Sequence, residues 1–411
     1  MIPPAAHAAL CDNDAMNDFG PAPPPVQAGA AFGRGLLQHW LLEPDIAFLN
    51  HGSYGATPRA VLAAQSEWRS RMERQPVRFM NDELPGALRA AAARLGRFVG
   101  AAGDNIAFVD NATTAVNTVL ASFDWRAGDE IAVCRHVYPG VRSAIEALER
   151  RYGVVMRSAE FPVPLAGAEQ VVAAFAAALD ARTRLAIVDH VSSPLAVVLP
   201  VAEIAALCAN RGVPVLIDGA HAPGMLALDL DALGADWYTG NCHKWLYAPK
   251  GAAFLWSAPA RAAATHPLVI SSQWGQGYAR EFDWTGTRDT SAWLAVPAAL
   301  DFFESLGVER ARAYMHGLAA EAARLLASRT GTQPLAPPGM FAAMVTLPLP
   351  VSFGADASAV EALHRLLVDR YRVEVPLHAI DGRLALRISA QVYNEIRDYE
   401  RLGDALRAMR R

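Results

Sequence analysis

The chain has 411 residues, 53% of them hydrophobic and 19% charged, so it is long enough for two or three domains and too apolar to belong to the disordered class. Its formal net charge is -4, and no basic run stands out, which excludes the electrostatic footprint of a nucleic-acid-binding protein. The start of the chain has no signal-peptide or membrane-span pattern and the four cysteines form no CxxC pair, so the sequence predicts a cytoplasmic protein with no membrane partner, disulfide framework or zinc ribbon.

In chain order, the first region is a Pro-, Ala- and Gly-rich stretch. We predict that residues 1–40 form a flexible N-terminal segment. From residue 41 to residue 295 we predict a large α/β domain, because short Val/Ile/Leu-rich runs alternate with helical patterns. The runs read as strands are 105–110, 130–136, 184–191 and 213–221, and the helical patterns are 84–100, 113–123, 139–153 and 201–212. Such strands, each followed by a helix, predict a mostly parallel sheet flanked by helices on both faces.

Residues 296–411 have a different character and predict a smaller α+β C-terminal domain. Two long Ala/Arg/Glu-rich helices are predicted at 297–328 and 357–370. Three strand-like runs accompany them at 342–350, 371–380 and 382–390, and a helix at 394–409 closes the domain. We expect these strands to be antiparallel.

Polar or titratable residues follow five strand ends of the large domain, those of the four runs above and of a fifth strand that ends before residue 241. They are residues 111–114, 136–138, 190–193, 218–221 and 241–244. Ligands of open α/β sheets gather where the carboxyl ends of the strands meet. One polar strand end is unremarkable, but five of them predict a functional site at this edge.

The sequence contains two lysines, Lys244 and Lys250, among 37 lysine and arginine residues. A lysine amine forms a Schiff base with an aldehyde and loses its proton readily when buried, whereas a guanidinium does neither. The segment "NCHKW" is aromatic and polar, which favours a buried Lys244 with a chemical role over a leftover surface lysine. Lys250, in "APKG", is interpreted as a turn residue.

Two strand ends carry groups suited to an aromatic phosphate cofactor. Asp218 could pair with a protonated pyridine nitrogen and His221 could reach a phenolic oxygen; the alternative is a capping Asp beside a satisfied histidine. Thr113 and Thr114 begin a helix whose N-terminus could hold a phosphate, although such a pair is more often just an N-cap. No GxGxxG motif is present, so a dinucleotide is not indicated.

Two further features have weaker support from the pattern alone. His136 or Tyr138 could stack on a planar cofactor, but a lone aromatic residue at this place usually belongs to a core. Arg387 could hold a substrate carboxylate with two parallel hydrogen bonds, although the chain has many other arginines.

The motifs "LNHGSYG", "NATTA", "DGAHAPG", "YTGNCHKWLYAPKG", "WTGTRDTSAW" and "RISAQVYN" occur in this order between residues 48 and 402. In these motifs the chain resembles the class V aminotransferases, a family of fold-type I enzymes that use pyridoxal 5'-phosphate, and within it the isopenicillin N epimerase group. The resemblance implies a large cofactor-binding α/β domain and a smaller C-terminal domain.

The resemblance also implies roles for individual residues. Lys244 would bind the cofactor aldehyde and later move the substrate's α-proton. Asp218 would pair with the pyridine nitrogen, with His221 near the phenolic oxygen. Around the phosphate would lie Thr113, Thr114, Asn241 and His243. Thr287 would reach the phosphate of a neighbouring subunit, which implies a homodimer with shared active sites. The substrate would meet Asn50, His51 and Arg387, and the stacking ring stays open between His136 and Tyr138.

One departure from the family pattern narrows the chemistry. Related cysteine desulfurases place a cysteine shortly before the carboxylate-binding arginine, and residues 373–386 contain none. A persulfide-forming desulfurase is therefore disfavoured. We expect α-proton abstraction from a cofactor-bound L-amino acid, first as an epimerase-like reaction, with Tyr138, His136 or His51 as a second acid. A β-eliminating C–S lyase comes next, and an aminotransferase after it.

Two hypotheses from other classes remain. Asp218, His221 and His243 could form the metal triad of a hydrolase, although this gives Lys244 no role. Alternatively, the chain could be a binding protein that kept the fold and lost the chemistry, which the lysine argues against.

Overall fold

The computed structural model describes residues 23, 24, 26, 29–354 and 356–409. Most of the segment predicted to be flexible, residues 1–40 with Cys11, lies outside the described residues. The end of this segment is folded, in contrast to the prediction: Arg34–His39 form a 3-10 helix, and Trp40 is buried and donates from Nε1 to the Ala56 carbonyl at 3.0 Å. Burial of the large indole fixes this part of the chain on the core.

In the described part of the chain, twelve strands form three sheets. They are β1 (Ala47–Phe48), β2 (Ile106–Val109), β3 (Glu130–Cys134), β4 (Val155–Ala159), β5 (Thr183–Asp189), β6 (Val215–Asp218), β7 (Trp237–Asn241), β8 (Ala253–Ser257), β9 (Met344–Pro348), β10 (Val373–Glu374), β11 (Leu377–Ile380) and β12 (Arg383–Ser389).

The helices surround these sheets. They are α1 (His51–Tyr54), α2 (Arg59–Arg74), α3 (Pro76–Arg78), α4 (Leu84–Val99), α5 (Ala112–Ala121), α6 (Pro139–Tyr152), α7 (Glu169–Ala178), α8 (Val201–Asn210), α9 (Pro259–Ala262), α10 (Tyr278–Asp283), α11 (Ser291–Leu294), α12 (Val296–Ser305), α13 (Val308–Thr330), α14 (Ala357–Tyr371) and α15 (Ile396–Met409).

The large sheet has the strand order β2-β8-β7-β6-β5-β3-β4. Its neighbours are parallel except for the two pairs that involve β8, so the predicted mostly parallel sheet is confirmed. Because β8 is the one reversed strand, β2, β3, β5, β6 and β7 all point the same way. Their side chains alternate between two apolar clusters, one on each face, as in β2, where Ile106 and Phe108 join one cluster and Ala107 and Val109 the other.

The small domain contains the antiparallel sheet β11-β12-β9 and a separate apolar cluster, with α13 and α15 packed together. The helix predicted at 297–328 is two helices, α12 and α13. Gly307 separates them with φ 77°, a left-handed conformation that glycine adopts without steric cost. Within the described parts of the chain, no helix has both the length and the apolar character needed to cross a membrane.

The start of the predicted large domain also contributes to the small one. Strand β1 pairs in parallel with β10, Ala47 opposite Val373 and Phe48 opposite Glu374. Ala47 and Leu49 are fully buried in the small domain's cluster. This pairing places the segment that follows, residues 50–54, between the two domains, beside the carboxyl edge of the large sheet.

Candidate active site

A cleft of about 310 Å³ opens at the carboxyl edge of the large sheet. Residues after all five of the predicted strand ends line it, because β2, β3, β5, β6 and β7 share one direction. The predicted site residues that line the cleft are Thr113, Tyr138, Asp218, His221, Asn241, His243 and Lys244. Those that do not are Asn50, His51, Thr114, His136, Thr287 and Arg387. Ser193, from the predicted strand end at 190–193, also lines it, as do Ser53, Tyr54, Asp110 and Asp189, which the sequence analysis did not single out.

Lys244 lies in the turn after β7 and is half-buried. Its Nζ is 3.3 Å from Nε2 of His221. Burial, together with the charge of Arg387, lowers the pKa of Lys244 to about 7, while Asp218 acts in the opposite direction. A large fraction of this amine is therefore unprotonated at neutral pH, which is the form that attacks an aldehyde.

Asp218 is the last residue of β6 and is buried. Burial raises the pKa of its carboxyl group, whereas the Ala220 N–H, which donates to Oδ1 at 3.0 Å, and the charge of Lys244 lower it. A carboxylate held in this way can accept a hydrogen bond from a protonated ring nitrogen.

The two histidines of the cleft are neutral. Burial lowers the pKa of His221 well below its usual value, and it lowers the pKa of His243 to about 4. Nδ1 of His243 donates to the Ala252 carbonyl at 3.0 Å, so its Nε2 carries the lone pair. Nδ1 of His221 is buried without a partner, and is thus available to a bound group.

The N-terminus of α5 forms the far end of the cleft. Asn111 is its N-cap and accepts from the backbone N–H of Thr114 at 2.8 Å and from the Thr114 hydroxyl at 3.2 Å, so Thr114 is bonded to the cap residue and does not line the cleft. Asn241 accepts from the Ala112 N–H at 2.9 Å and fixes the helix start on β7. Thr113 remains at the cleft surface, at the end of a helix whose dipole favours an anion.

Of the two candidate stacking rings, Tyr138 reaches the cleft and His136 does not. Tyr138 is the N-cap residue of α6 and is 41% exposed. The His136 ring points away, with its centroid 6.0 Å from that of Phe161 and its Nε2 3.7 Å from the Asp381 carboxylate. The two rings are two positions apart in the sequence, so an extended chain would direct both the same way; a turn at residues 135–136 separates them, and the tyrosine faces the cleft.

Arg387 is 2% exposed and lies directly behind two cleft-lining serines. Its Nη1 donates to the Ser193 carbonyl at 2.8 Å and to the Ser193 hydroxyl at 3.0 Å, and Nη2 donates to Ser53 Oγ at 2.9 Å. Nε has no partner, and no acidic side chain among the described residues pairs with this guanidinium. Burial lowers the pKa of Arg387 to about 10, so the group is still charged at neutral pH.

Asn50 and His51, predicted to meet the substrate, support other residues instead. Asn50 accepts from the Ser53 hydroxyl and donates to the Glu374 carboxylate at 2.8 Å, so it orients a cleft-lining serine. His51 is fully buried, and its Nε2 donates to the Lys244 carbonyl at 3.0 Å. Burial lowers the pKa of His51 to about 3, so Nδ1 of the neutral ring accepts from the Tyr393 hydroxyl at 2.9 Å.

Thr287 is exposed and does not line the cleft of its own chain. The next residue, Arg288, forms an ion pair with the cleft-lining Asp110 and stacks over the Trp293 ring at 4.4 Å. The segment "GTRD" therefore reaches the rim of the cleft.

The metal-triad hypothesis for Asp218, His221 and His243 is wrong. In the described part of the chain no three His, Cys, Asp or Glu side chains are grouped so that they could hold a metal ion. Nδ1 of His243 is engaged by the Ala252 carbonyl, and Nε2 of His221 faces the Lys244 amine.

The residues present fit pyridoxal phosphate. The cleft offers an amine of lowered pKa, a buried carboxylate, a helix N-terminus with a free threonine hydroxyl, and an exposed aromatic ring. The buried, unpartnered His221 Nδ1 is a further polar group that a cofactor would satisfy.

Comparisons with known proteins agree with this geometry. The family model for aminotransferase class-V matches residues 48–363. The chain is 36% identical to a probable chloroplastic L-cysteine desulfhydrase of Arabidopsis thaliana, over 89% of this chain and 83% of that protein. It is 38% identical to the isopenicillin N epimerase of Amycolatopsis lactamdurans, over 90% of this chain and 96% of that protein.

Solved structures share the fold. The apo cysteine desulfurase of Thermococcus onnurineus superposes with a TM-score of 0.80 at 17% identity, covering 93% of this chain and 99% of that one. The cystine C–S lyase C-DES, in complex with its product cysteine persulfide, gives 0.74 at 24% identity, covering 88% and 97%. The chain therefore belongs to the aminotransferase class-V family of pyridoxal-phosphate-dependent enzymes, with the fold-type I architecture of a large α/β domain and a smaller C-terminal domain.

Proposed function

We propose that this enzyme is a C–S lyase that releases sulfide from a small L-amino acid with sulfur on its β-carbon, such as L-cysteine. The reaction consumes one L-cysteine and one water and yields pyruvate, ammonia and hydrogen sulfide. Relatives named L-cysteine desulfhydrase, at 34–36% identity, support the substrate class.

The main structural support for an amino-acid substrate is Arg387, a buried and charged guanidinium with no acidic partner among the described residues. An isolated buried cation is costly unless it is paired. Ser53 and Ser193 hold the guanidinium plane through neutral oxygens, and Nε–H remains unpaired. The α-carboxylate of an amino acid would supply the missing negative charge.

Lys244 is the proton-moving residue of the proposal. When bound, pyridoxal phosphate supplies an aldehyde that takes up amines covalently and a ring that withdraws electrons from the α-carbon. Lys244 then removes the α-proton, and the Cβ–S bond breaks as the sulfur departs with a proton. The lowered pKa of Lys244 suits a general base at neutral pH.

Among the described residues, no cysteine is placed to carry a persulfide in the cleft. Cys134, Cys208 and Cys242 are buried, none lines the cleft, and burial raises the pKa of each thiol. A buried thiol of raised pKa is a poor nucleophile. Sulfur is therefore expected to leave as free sulfide.

Elimination comes first because several relatives are named L-cysteine desulfhydrase, and the positions of the candidate second acids leave one residue for epimerisation. Return of the proton from the face opposite Lys244 needs an acid there. His136 and His51 do not line the cleft, which leaves Tyr138. Epimerisation stays the second candidate because Tyr138 does reach the cleft and because the isopenicillin N epimerase relatives are 35% and 38% identical.

The test is a product assay on purified holoenzyme with L-cysteine and other L-amino acids. Equal amounts of sulfide and pyruvate are expected. Exchange of the α-proton in heavy water with loss of optical activity and no sulfide would identify an epimerase, and formation of a keto acid only in the presence of an amino-group acceptor would identify an aminotransferase. Either result would overturn the lyase proposal.

The two lysines provide a matched control. Borohydride is expected to fix the cofactor on the peptide that contains Lys244. Lys244→Ala should abolish this labelling and the product, whereas Lys250→Ala, at an exposed turn, should change neither. Labelling at Lys250 would contradict the assignment.

We further infer a homodimer with shared sites. Leu268, Val269, Ile270 and Trp274 are about half exposed and form an apolar stretch that a second copy would cover. Thr287 follows this stretch in the sequence and would then reach the phosphate of the cofactor bound to the partner subunit.

The three described cysteines are free, which fits a reducing cytoplasm.

Mixing two inactive variants tests the shared site. Lys244→Ala chains lack the amine and Thr287→Ala chains lack the hydroxyl, so a mixed dimer contains one complete site. Recovery of about a quarter of the wild-type activity is expected after random reassociation. Absence of recovery, or a monomer in sedimentation, would contradict the shared-site dimer.

A further inference from the structure

Asp189 is a second buried carboxyl group beside Asp218. It is the last residue of β5, and the parallel register of β5 and β6 places it directly opposite Asp218, the last residue of β6. Both side chains are buried, with 3% and 4% of their surfaces exposed, and both line the cleft. Directly opposed residues of parallel strands have side chains on the same side, so the two carboxyl groups are neighbours.

The pair has no directly bonded cation in the described part of the chain. Neither aspartate forms an ion pair with any Lys, Arg or His among the described residues, and Oδ2 of Asp189 is buried without a hydrogen-bond partner. Two carboxylates buried side by side do not readily ionise together, because each charge repels the other and burial removes most of the water that would solvate them.

The surroundings of the two groups differ, and the difference decides which one is charged. Asp218 accepts from the Ala220 N–H at 3.0 Å and is stabilised by the charge of Lys244. Asp189 faces Asp218 on one side and the Cys134 thiol on the other, and the backbone N–H of Tyr138 is its one stabilising donor from a neighbouring residue. Burial and the Asp218 charge raise the pKa of Asp189 well above its usual range.

We propose that Asp189 is a positioning residue that holds the single proton of the Asp189–Asp218 pair and so leaves one negative charge, on Asp218, to face the cofactor. A neutral Asp189 keeps the net charge of the pair at minus one, which balances the single positive charge of a protonated ring nitrogen. Its buried Oδ2 hydroxyl is also a donor that has no partner among the described residues. The proposal rests on Asp218 as the partner of that nitrogen.

Infrared difference spectroscopy of the holoenzyme at neutral pH tests the location of the proton. A protonated carboxyl group has a C=O stretching band that is separate from the carboxylate bands and shifts in heavy water. We expect such a band in the wild type and its loss in Asp189→Asn. Asp189→Leu should lose the same band, and it serves as a second background if the amide variant folds poorly.

Two results would overturn the proposal: absence of the band from the wild type, or its full retention in Asp189→Asn and Asp189→Leu. Asp189→Glu keeps the carboxyl group and should keep the band. Asp218→Asn tests the underlying assignment separately, through the dissociation constant of pyridoxal phosphate, which should rise about tenfold or more. If that constant stays unchanged while the Asp189 band is lost as expected, the cofactor-facing role of Asp218 fails and the proton assignment stands.

Discussion

Nη2 of Arg387 donates to Oγ of Ser53 at 2.9 Å, and this bond joins the small domain to the segment that precedes α2. Ser53 in turn donates to Asn50, and Asn50 donates to Glu374. In this series of hydrogen bonds each group donates to the next, from Arg387 to Ser53, Asn50 and Glu374. The series therefore holds the guanidinium in a fixed plane. The plane leaves Nε–H for a ligand.

Replacement of Arg387 by lysine should therefore weaken substrate binding although the charge is retained. A lysine amine cannot donate to Ser53 and Ser193 and present a planar pair of N–H groups to a carboxylate at the same time. Loss of one hydrogen bond to a charged group is worth about 1.5–3 kcal/mol, so KM should rise about tenfold or more, with a smaller change in kcat.

The matched control is Arg383→Lys, on the same strand at an exposed position. This variant should keep the wild-type KM. Steady-state kinetics of both variants with the same amino acid provide the comparison, and an unchanged KM in Arg387→Lys would contradict the carboxylate-binding role.

Lys244 should make the stability of the cofactor-free protein depend on pH. In the unfolded chain this lysine keeps its proton up to pH 10.5, whereas in the folded chain it loses the proton near pH 7. The folded state therefore binds fewer protons between these values, and the free energy of unfolding rises with pH across that window, by about 1.4 kcal/mol per pH unit at most.

Lys244→Met removes the titrating amine, and with it this pH-dependent contribution to stability, at a similar side-chain volume. The difference in unfolding free energy between wild type and variant, measured with urea at several pH values from 6 to 10, should grow in favour of the wild type as pH rises. A difference that is flat with pH would show that the buried amine keeps its usual pKa.

The sequence predicted the architecture of the large domain because its strands are buried on both faces and read as continuous apolar runs. The residues after β2, β3, β5, β6 and β7 could be placed at one edge from strand direction alone. Strand β4 was not predicted, since its burial pattern alternates with exposed Val155 at an edge of the sheet. The break at Gly307 was missed because glycine is tolerated within a helical pattern.

The site residues were harder to assign wherever side-chain direction decides the role. Tyr138 and His136 are two positions apart, and only the backbone turn after β3 determines which one meets the cleft. His51 and Thr114 belong to conspicuous motifs, but their hydrogen bonds are made to Lys244 and Asn111. Asp189 did carry a signal, a carboxylate that ends an apolar run as Asp218 does, whereas nothing local distinguished Ser53.

His51 should stabilise the turn that carries Lys244. His51→Phe keeps a ring but leaves the Tyr393 hydroxyl without a partner in a buried region, and leaves the Lys244 carbonyl with one long bond from the Tyr247 N–H at 3.5 Å. A buried polar group left unpaired costs about 1–3 kcal/mol, so the free energy of unfolding should fall by at least about 1–3 kcal/mol. Tyr393→Phe removes one of the two bonds and should cost less. Equal stability of His51→Phe and wild type in urea would show that neither bond matters.

A close backbone contact beside the turn that carries Lys244 yields the last prediction. Gly55 has φ +70°, and a Cβ built on it would lie 1.9 Å from the carbonyl oxygen of His243. Gly55→Ala must therefore displace the segment that carries His243 and Lys244, and both stability and pyridoxal phosphate affinity should fall.

Gly317, exposed within α13 with open space around it, is the matched control. Gly317→Ala should stabilise the protein by about 0.5–1 kcal/mol through helix propensity and leave cofactor affinity unchanged. Thermal unfolding and cofactor titration of the two variants measure the contrast, and a Gly55→Ala protein that binds the cofactor as the wild type does would show that the turn does not need this close approach.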